Sequence, residues 1–182
     1  MFIQTETTPN PATLKFLPGR AVVEGSTVDF RAPPAPGVSP LADRLFAADG
    51  VDGVFLGADF ISVTKAEGRD WQVVKPIVLA AIMEHYTSGE PAVVAKADAG
   101  EAEGADSEVV AQIKELLETR VRPAVAQDGG DIVFRKYEEG IVYLRMQGSC
   151  SGCPSSSATL KVGIENMLKH FIPEIREVRP VE

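Results

Sequence analysis

Gly148-Ser149-Cys150-Ser151-Gly152-Cys153-Pro154-Ser155-Ser156-Ser157 holds the only two cysteines of a 182-residue chain. The stretch is a junction between two kinds of periodicity. Before it, residues 132–137 and 141–146 read as two strands joined through Glu138-Glu139-Gly140. After it, Leu160, Ile164, Met167, Leu168 and Phe171 recur at helical spacing, and Pro154 suits a first helical position, where its missing N–H has no bond to lose. A last short strand is expected near residues 177–181. Both sulfurs would then sit at a helix N-terminus, whose partial positive charge favours thiolate over thiol. Gly148 and Gly152 keep the loop free of side-chain bulk, so that backbone N–H groups can approach an anion. The expectation is two exposed thiolates.

Working outward, Asp128-Gly129-Gly130-Asp131 marks a tight turn before the first strand, and glycine at positive φ explains it without invoking chemistry. Ahead of the turn, Val109, Val110, Ile113, Leu116, Leu117 and Val121 fall on one helical stripe. Ser107 is the expected cap, a weak one, since Val110 stands where a capping box places Glu or Gln.

Composition breaks between Gly89 and Asp106, where Ala, Gly and acids repeat without an aromatic residue. Such a segment buries too little apolar surface to offset its ordering entropy, so residues 90–106 are expected to be a flexible, acidic linker. Residues 1–89 then form a first domain and residues 107–182 a second. In the first, Thr13-Leu14-Lys15-Phe16 and Thr27-Val28-Asp29-Phe30 alternate as short strands. Ser39-Pro40-Leu41 opens a helix with Ser39 as its cap. Residues 54–56 and 60–64 flank Gly57-Ala58-Asp59 as a hairpin, and a second helix is expected from about Trp71 to Tyr86. The fold class is α+β, as two small α+β domains.

Net charge is −8. Residues 1–106 carry 8 Lys and Arg against 15 Asp and Glu, while residues 107–182 carry 10 against 11, so the acidity lies mainly in the first half. No basic stripe exists to follow a phosphate backbone, so nucleic acid is not an expected partner. The longest apolar run, residues 77–83, is far too short to cross a bilayer, so no membrane partner is expected either. Met1-Phe2-Ile3-Gln4-Thr5-Glu6 lacks both a secretory h-region and the Arg-rich character of a transit peptide. A reducing, cytoplasmic setting is therefore expected, bacterial by default, or the mitochondrial matrix if a transit peptide has been removed.

The C-x-x-C pair admits four readings. Two ordinary buried cysteines fit poorly with a polar Gly- and Ser-rich loop. A thiol–disulfide oxidoreductase keeps its nucleophile at such a helix start, but its βαβ setting is missing, because a helix and a hairpin precede the motif. Zinc wants four ligands, and the two histidines are misplaced. His170 lies about 25 Å up the same helix, and His85 belongs to the other domain, each more simply a surface or partly buried helix residue. Zinc bridging two copies stays open. An iron–sulfur cluster also wants four thiolates, of which one chain supplies half; a two-fold axis would bring Cys150 and Cys153 of two chains together. Shared, exposed ligation suits a carrier that must let its cluster go. No nucleophile–base–orienter set can be assembled, so an enzyme is not expected.

Residues 108–178 closely resemble the C-terminal domain of NifU-like (Nfu) proteins through Arg122-Pro123, Asp128-Gly129-Gly130-Asp131, the hairpin, the cysteine stretch and Leu160-Lys161. Residues 2–90 resemble the family's N-terminal domain through Thr8-Pro9-Asn10-Pro11, Leu14-Lys15-Phe16, Ser39-Pro40-Leu41-Ala42, Asp59-Phe60-Ile61-Ser62-Val63 and Lys75-Pro76. The resemblance covers nearly the whole chain. It implies a scaffold or carrier that binds a [4Fe–4S] cluster through Cys150 and Cys153 of two subunits. The partners implied are an upstream cluster donor, apo iron–sulfur client enzymes, and a second copy in a cluster-bridged homodimer. Apart from the resemblance, Ser149, Ser151 and the N–H groups of residues 152–156 admit two readings, donors that tune a cluster or ordinary loop and first-turn residues, the second being the simpler for any single serine. Trp71, with Lys75 and Pro76, reads equally as part of a client surface or as a helix-start aromatic in a small core.

Overall fold

The computed structural model describes residues 1–24, 27–94, 108–151 and 154–181, with only the backbone for 154–157. Two compact units divide between Ala99 and Gly100, each with its own core.

In the first unit β1 (Gln4–Thr7), β2 (Thr13–Leu17), β3 (Val28–Phe30), β4 (Val51–Leu56) and β5 (Ile61–Lys65) form one antiparallel sheet of order β1-β2-β5-β4-β3. Alternation sends Phe16, Val54, Leu56, Ile61 and Val63 into the core. Helix α1 (Pro40–Phe46) adds Leu41, Ala42 and Leu45, and α2 (Trp71–Ser88) adds Val74, Val78 and Ile82. The expected cap is present: the Ser39 hydroxyl accepts from the Ala42 N–H at 3.1 Å. Asn10, within Thr-Pro-Asn-Pro, is buried and closes an Asx turn by accepting from the Ala12 N–H at 3.0 Å. Trp71 packs on the core edge and donates from Nε1 to the Pro11 carbonyl at 3.1 Å, so its contacts are internal. Strand β1 escaped the sequence reading, because Gln-Thr-Glu-Thr has no apolar alternation.

The expected linker begins too early. Ser39 Oγ donates to the Ala92 carbonyl at 2.6 Å, and the Val94 N–H donates to the Val38 carbonyl at 2.9 Å. Ala92 is buried in the core, and Arg44 grips Glu90 at 2.7 Å. Residues 90–94 are therefore part of the first unit. The rest of the expected linker lies outside the described residues, as does the expected cap Ser107.

In the second unit α3 (Glu108–Leu116), one π-helical turn (Leu117–Val121) and α4 (Arg122–Gln127) run in series. Pro123 has no N–H to offer the carbonyl four residues back, and the Arg122 N–H reaches five residues back, to Leu117. The wider turn keeps Leu117, Val121 and Val125, each four apart, on one buried line with Val110 and Ile113. Strands β6 (Gly130–Glu138) and β7 (Ile141–Gly148) pair antiparallel through a two-residue loop, in which Glu139 (φ 51°) and Gly140 (φ 80°) both adopt left-handed backbone. Helix α5 (Pro154–Phe171) then crosses over to β8 (Glu177–Val181), parallel to β7. Ile132, Phe134, Val142, Leu144, Met146 and Val178 share one core with the helices. Among the described residues no helix is long and apolar enough to cross a membrane.

His85 corrects another expectation. It is fully buried at 0 % exposure, and neither ring nitrogen has a hydrogen-bond partner among the described residues. Burial, assisted by the Arg44 charge and opposed by Glu90, holds its pKa below the ordinary value. The folded ring therefore stays neutral while the unfolded one takes up a proton below about pH 6.5. The contribution to stability is complete above that pH and declines as pH falls through the window down to the depressed folded value. Hydrogen exchange of the α2 amides in the full chain should show weaker protection at about pH 5.5 than at about 7.5, after correction for intrinsic rates. His85→Leu should flatten that dependence; an equal decline in both chains would assign it to other groups.

Candidate functional site

The cysteine loop is fastened where β6 begins and β7 ends. Helix α4 closes with the Asp128 N–H donating to the Val125 carbonyl and the Gly129 N–H to the Ala126 carbonyl, at 3.1 and 3.0 Å. Gly129 follows at φ 79°, the left-handed position that glycine occupies without strain. Gly130 opens β6 in register with Gly148 at the end of β7. The loop returns to this corner: the Ser149 N–H donates to the Gly129 carbonyl at 3.2 Å, and Ser149 Oγ donates to the Asp128 carbonyl. Gly148, at φ 62°, makes the bend, and Ser151 donates to its carbonyl from both N–H and Oγ at 3.1 Å.

This geometry overturns the expectation of an exposed Cys150. The residue is 7 % exposed and belongs to the core of the second unit. Its sulfur rests on Gly130, where an added Cβ would stand 2.4 Å from Sγ. The second glycine of Asp-Gly-Gly-Asp is therefore demanded by a side-chain contact, which the turn reading alone did not include. Burial pushes the Cys150 thiol up to about 11; a hydrogen bond with Ser149 works against this, and the carboxylates of Asp128 and Asp131 add to it. The helix-dipole argument for a thiolate thus fails at Cys150, because desolvation outweighs it. A neutral, sheltered thiol is also a poor nucleophile, which weakens the oxidoreductase reading. Cys153 and the N–H donors at Gly152 and Cys153 lie outside the described residues. Ser149 and Ser151 each donate a hydroxyl to a backbone carbonyl, as ordinary loop residues do, while the hydrogen bond between Ser149 and Cys150 also lets Ser149 act on the thiol.

Asp131 secures the corner from beneath. Its carboxylate is 3 % exposed and takes two parallel bonds from Arg122, Nε to Oδ1 and Nη2 to Oδ2, both 2.9 Å. Oδ1 also accepts from the Ile132 N–H at 2.8 Å. The Asp131 bonds hold the guanidinium pKa above its ordinary value, with a smaller contribution from Glu118, bonded to Nη1 at 3.0 Å. Sequence reasoning missed this pair; its one sign was Arg-Pro at the place where the helical stripe runs in fours. Among the described residues no group of three or more His, Cys, Asp and Glu could hold a metal ion. His170 is exposed near the far end of α5, and His85 is buried within the first unit.

Two family models match. Residues 3–89 fit the N-terminal domain of the scaffold protein Nfu/NifU, and residues 113–179 fit the NifU-like domain. The NFU1 iron-sulfur cluster scaffold homolog, mitochondrial, of Homo sapiens is 54 % identical over all of this chain and 72 % of its own length. This chain belongs to the Nfu/NifU family. NifU-like protein 4, mitochondrial, of Arabidopsis thaliana is 52 % identical over 98 % of the chain, which spans 65 % of that relative. The solution structure of a NifU-like protein from Saccharomyces cerevisiae covers 53 % of this chain and 87 % of its own, at 26 % identity and a TM-score of 0.48. Within this Nfu-family chain the NifU-like match contains the whole corner, from Arg122 through Asp131 to the cysteine pair.

Removing the guanidinium should leave the Asp131 charge buried without its partner. Arg122→Ala is expected to lower stability by about 2–4 kcal/mol. Arg179→Ala, which breaks an exposed pair with Glu177, should leave stability close to that of the parent. Urea denaturation of the two variants and the parent measures both, and equal small losses would remove Arg122 from its structural role.

Proposed function

We propose that this chain is an iron–sulfur cluster scaffold and carrier. It takes up a [4Fe–4S] cluster as cargo, with Cys150 and Cys153 of one copy and the same pair of a second copy as the four ligands, and passes it to apo-proteins. The observation that carries the reading is whole-chain identity of 54 % to a protein named as an iron-sulfur cluster scaffold homolog, with the C-x-x-C inside the matched NifU-like domain. The chemistry agrees with it. One chain offers two thiolates where a cluster needs four, so a second copy completes the site, and a ligand set divided between chains can be taken apart for delivery.

The remaining parts of the reading follow from that role. An upstream donor supplies the cluster and client apo-enzymes receive it, so the chain acts as a carrier and not as a catalyst. The relatives named above are mitochondrial by name, which supports the mitochondrial matrix and lends nothing to the bacterial cytosol. Neither nucleic acid nor a membrane enters the scheme.

Anaerobic reconstitution with iron and sulfide, read by native mass spectrometry, tests the ligand set and the dimer in one sample. The expected species carries about four irons per two chains, and chelating the iron should return monomers, because cargo that binds only the dimer stabilises it. Cys150→Ser and Cys153→Ser should each lose the cluster; full retention in either would remove that residue from the ligand set. A loaded monomer would overturn the bridging. Stoichiometric zinc without iron would point to a zinc-bridged interaction module, and thiol-reducing activity without iron to an oxidoreductase.

A further inference from the structure

The fastening of Cys150 has a consequence for metal uptake. A sulfur that shares a ligand set with another chain must reach the surface of its own chain. Cys150 Sγ instead rests against the Cβ-free face of Gly130, in a residue only 7 % exposed. The residue before it is bound twice to the turn that precedes β6, through the Ser149 N–H on the Gly129 carbonyl at 3.2 Å and through Ser149 Oγ on the Asp128 carbonyl. Ser149 is itself 2 % exposed, so water does not compete freely for these bonds. Gly148, at φ 62°, is a backbone position with wide freedom immediately before the fastened residues.

We propose that Gly130, Ser149 and the Asp128-Gly129 turn form a closed seat for the Cys150 side chain, and that the thiol must leave this seat, by release of the Ser149 bonds, before it can ligate a metal shared with another chain. Ser149 and Gly130 are then positioning residues: Gly130 provides the space, Ser149 holds the loop shut, and Gly148 is the point about which it opens. The closed arrangement protects the apo chain from oxidants and from chance metal ions, while making uptake depend on opening. The requirement for opening rests on the proposed scaffold role, whereas the seat does not.

The seat is tested on the full apo chain without iron. Under iodoacetamide the Cys150 thiolate forms a C–S bond and iodide leaves, the thiol proton having passed to solvent; peptide mapping by mass spectrometry separates Cys150 from Cys153. In the native chain Cys150 should be alkylated at least roughly tenfold more slowly than in denaturing urea, since labelling follows the population of the open loop. Ser149→Ala should raise the native rate several-fold, on the order of fivefold for the lost side-chain bond, and Ser149→Thr, which keeps a hydroxyl, should restore protection. Gly130→Ala should expel the sulfur and label faster than the parent, with circular dichroism confirming that the chain is folded. A native parent that labels as fast as the unfolded chain, or a folded Gly130→Ala that labels no faster than the parent, overturns the seat. Equal rates in parent and Ser149→Ala overturn the part given to Ser149. Stopped-flow absorbance of cluster uptake then tests the opening step: Ser149→Ala should load faster, and an unchanged rate would overturn gating. Because the alkylation arms contain no iron, failure of the scaffold reading and failure of the seat give different results.

Discussion

A carboxylate taken almost wholly out of water needs replacements for the hydrogen bonds it has lost, and the two-pronged grip of Arg122 on Asp131 supplies two of them in the second unit. The pair ties the residue that follows the π-helical turn to the second residue of β6. Everything nearer the cysteines is positioned from there. With Asp131 held, Gly130 presents a bare Cα to the end of β7, and the Asp128 and Gly129 carbonyls point where Ser149 can meet them. The guanidinium is thus the outermost part of a chain of contacts that ends on a sulfur.

That chain produces an electrostatic setting opposite to the one usual for reactive cysteines. Burial does most to raise the Cys150 thiol, and two acids, Asp128 and Asp131, add to it where a nucleophilic site would place cations to lower it. The same residues therefore discourage thiol chemistry in the apo chain.

Much of this was legible before any coordinates. Alternation placed β2, β5, β6 and β7, Ser39 and Pro40 placed the start of α1, and Glu-Gly between two apolar runs placed the hairpin, because each signal is local. What stayed hidden depended on residues distant in sequence. Cys150 sits in a loop of small polar residues, and nothing nearby says that strand register brings Gly130 alongside with room for a sulfur. His85 falls on a helix face whose burial is decided by packing in the first unit. Residues 90–94 have a linker's composition, yet the buried Ala92, a hydrogen bond from the Ser39 hydroxyl and a backbone hydrogen bond to Val38 hold them in place. The π-helical turn was not read from the sequence, where Ile113, Leu117 and Val121 were placed on one ordinary helical stripe, although residues spaced in successive fours drift off such a stripe unless the helix widens.

The three-stranded sheet has two outer edges, and neither is well made for adding a strand. Pro180 in β8 offers no N–H to a newcomer. Strand β6 carries an irregularity between Phe134 and Lys136, which breaks the even row of donors and acceptors a neighbouring strand would need. Strand addition between copies would produce a tight, slowly dissociating pair that outlives any ligand. With both edges blunted, this sheet is a poor template for a pair of that kind.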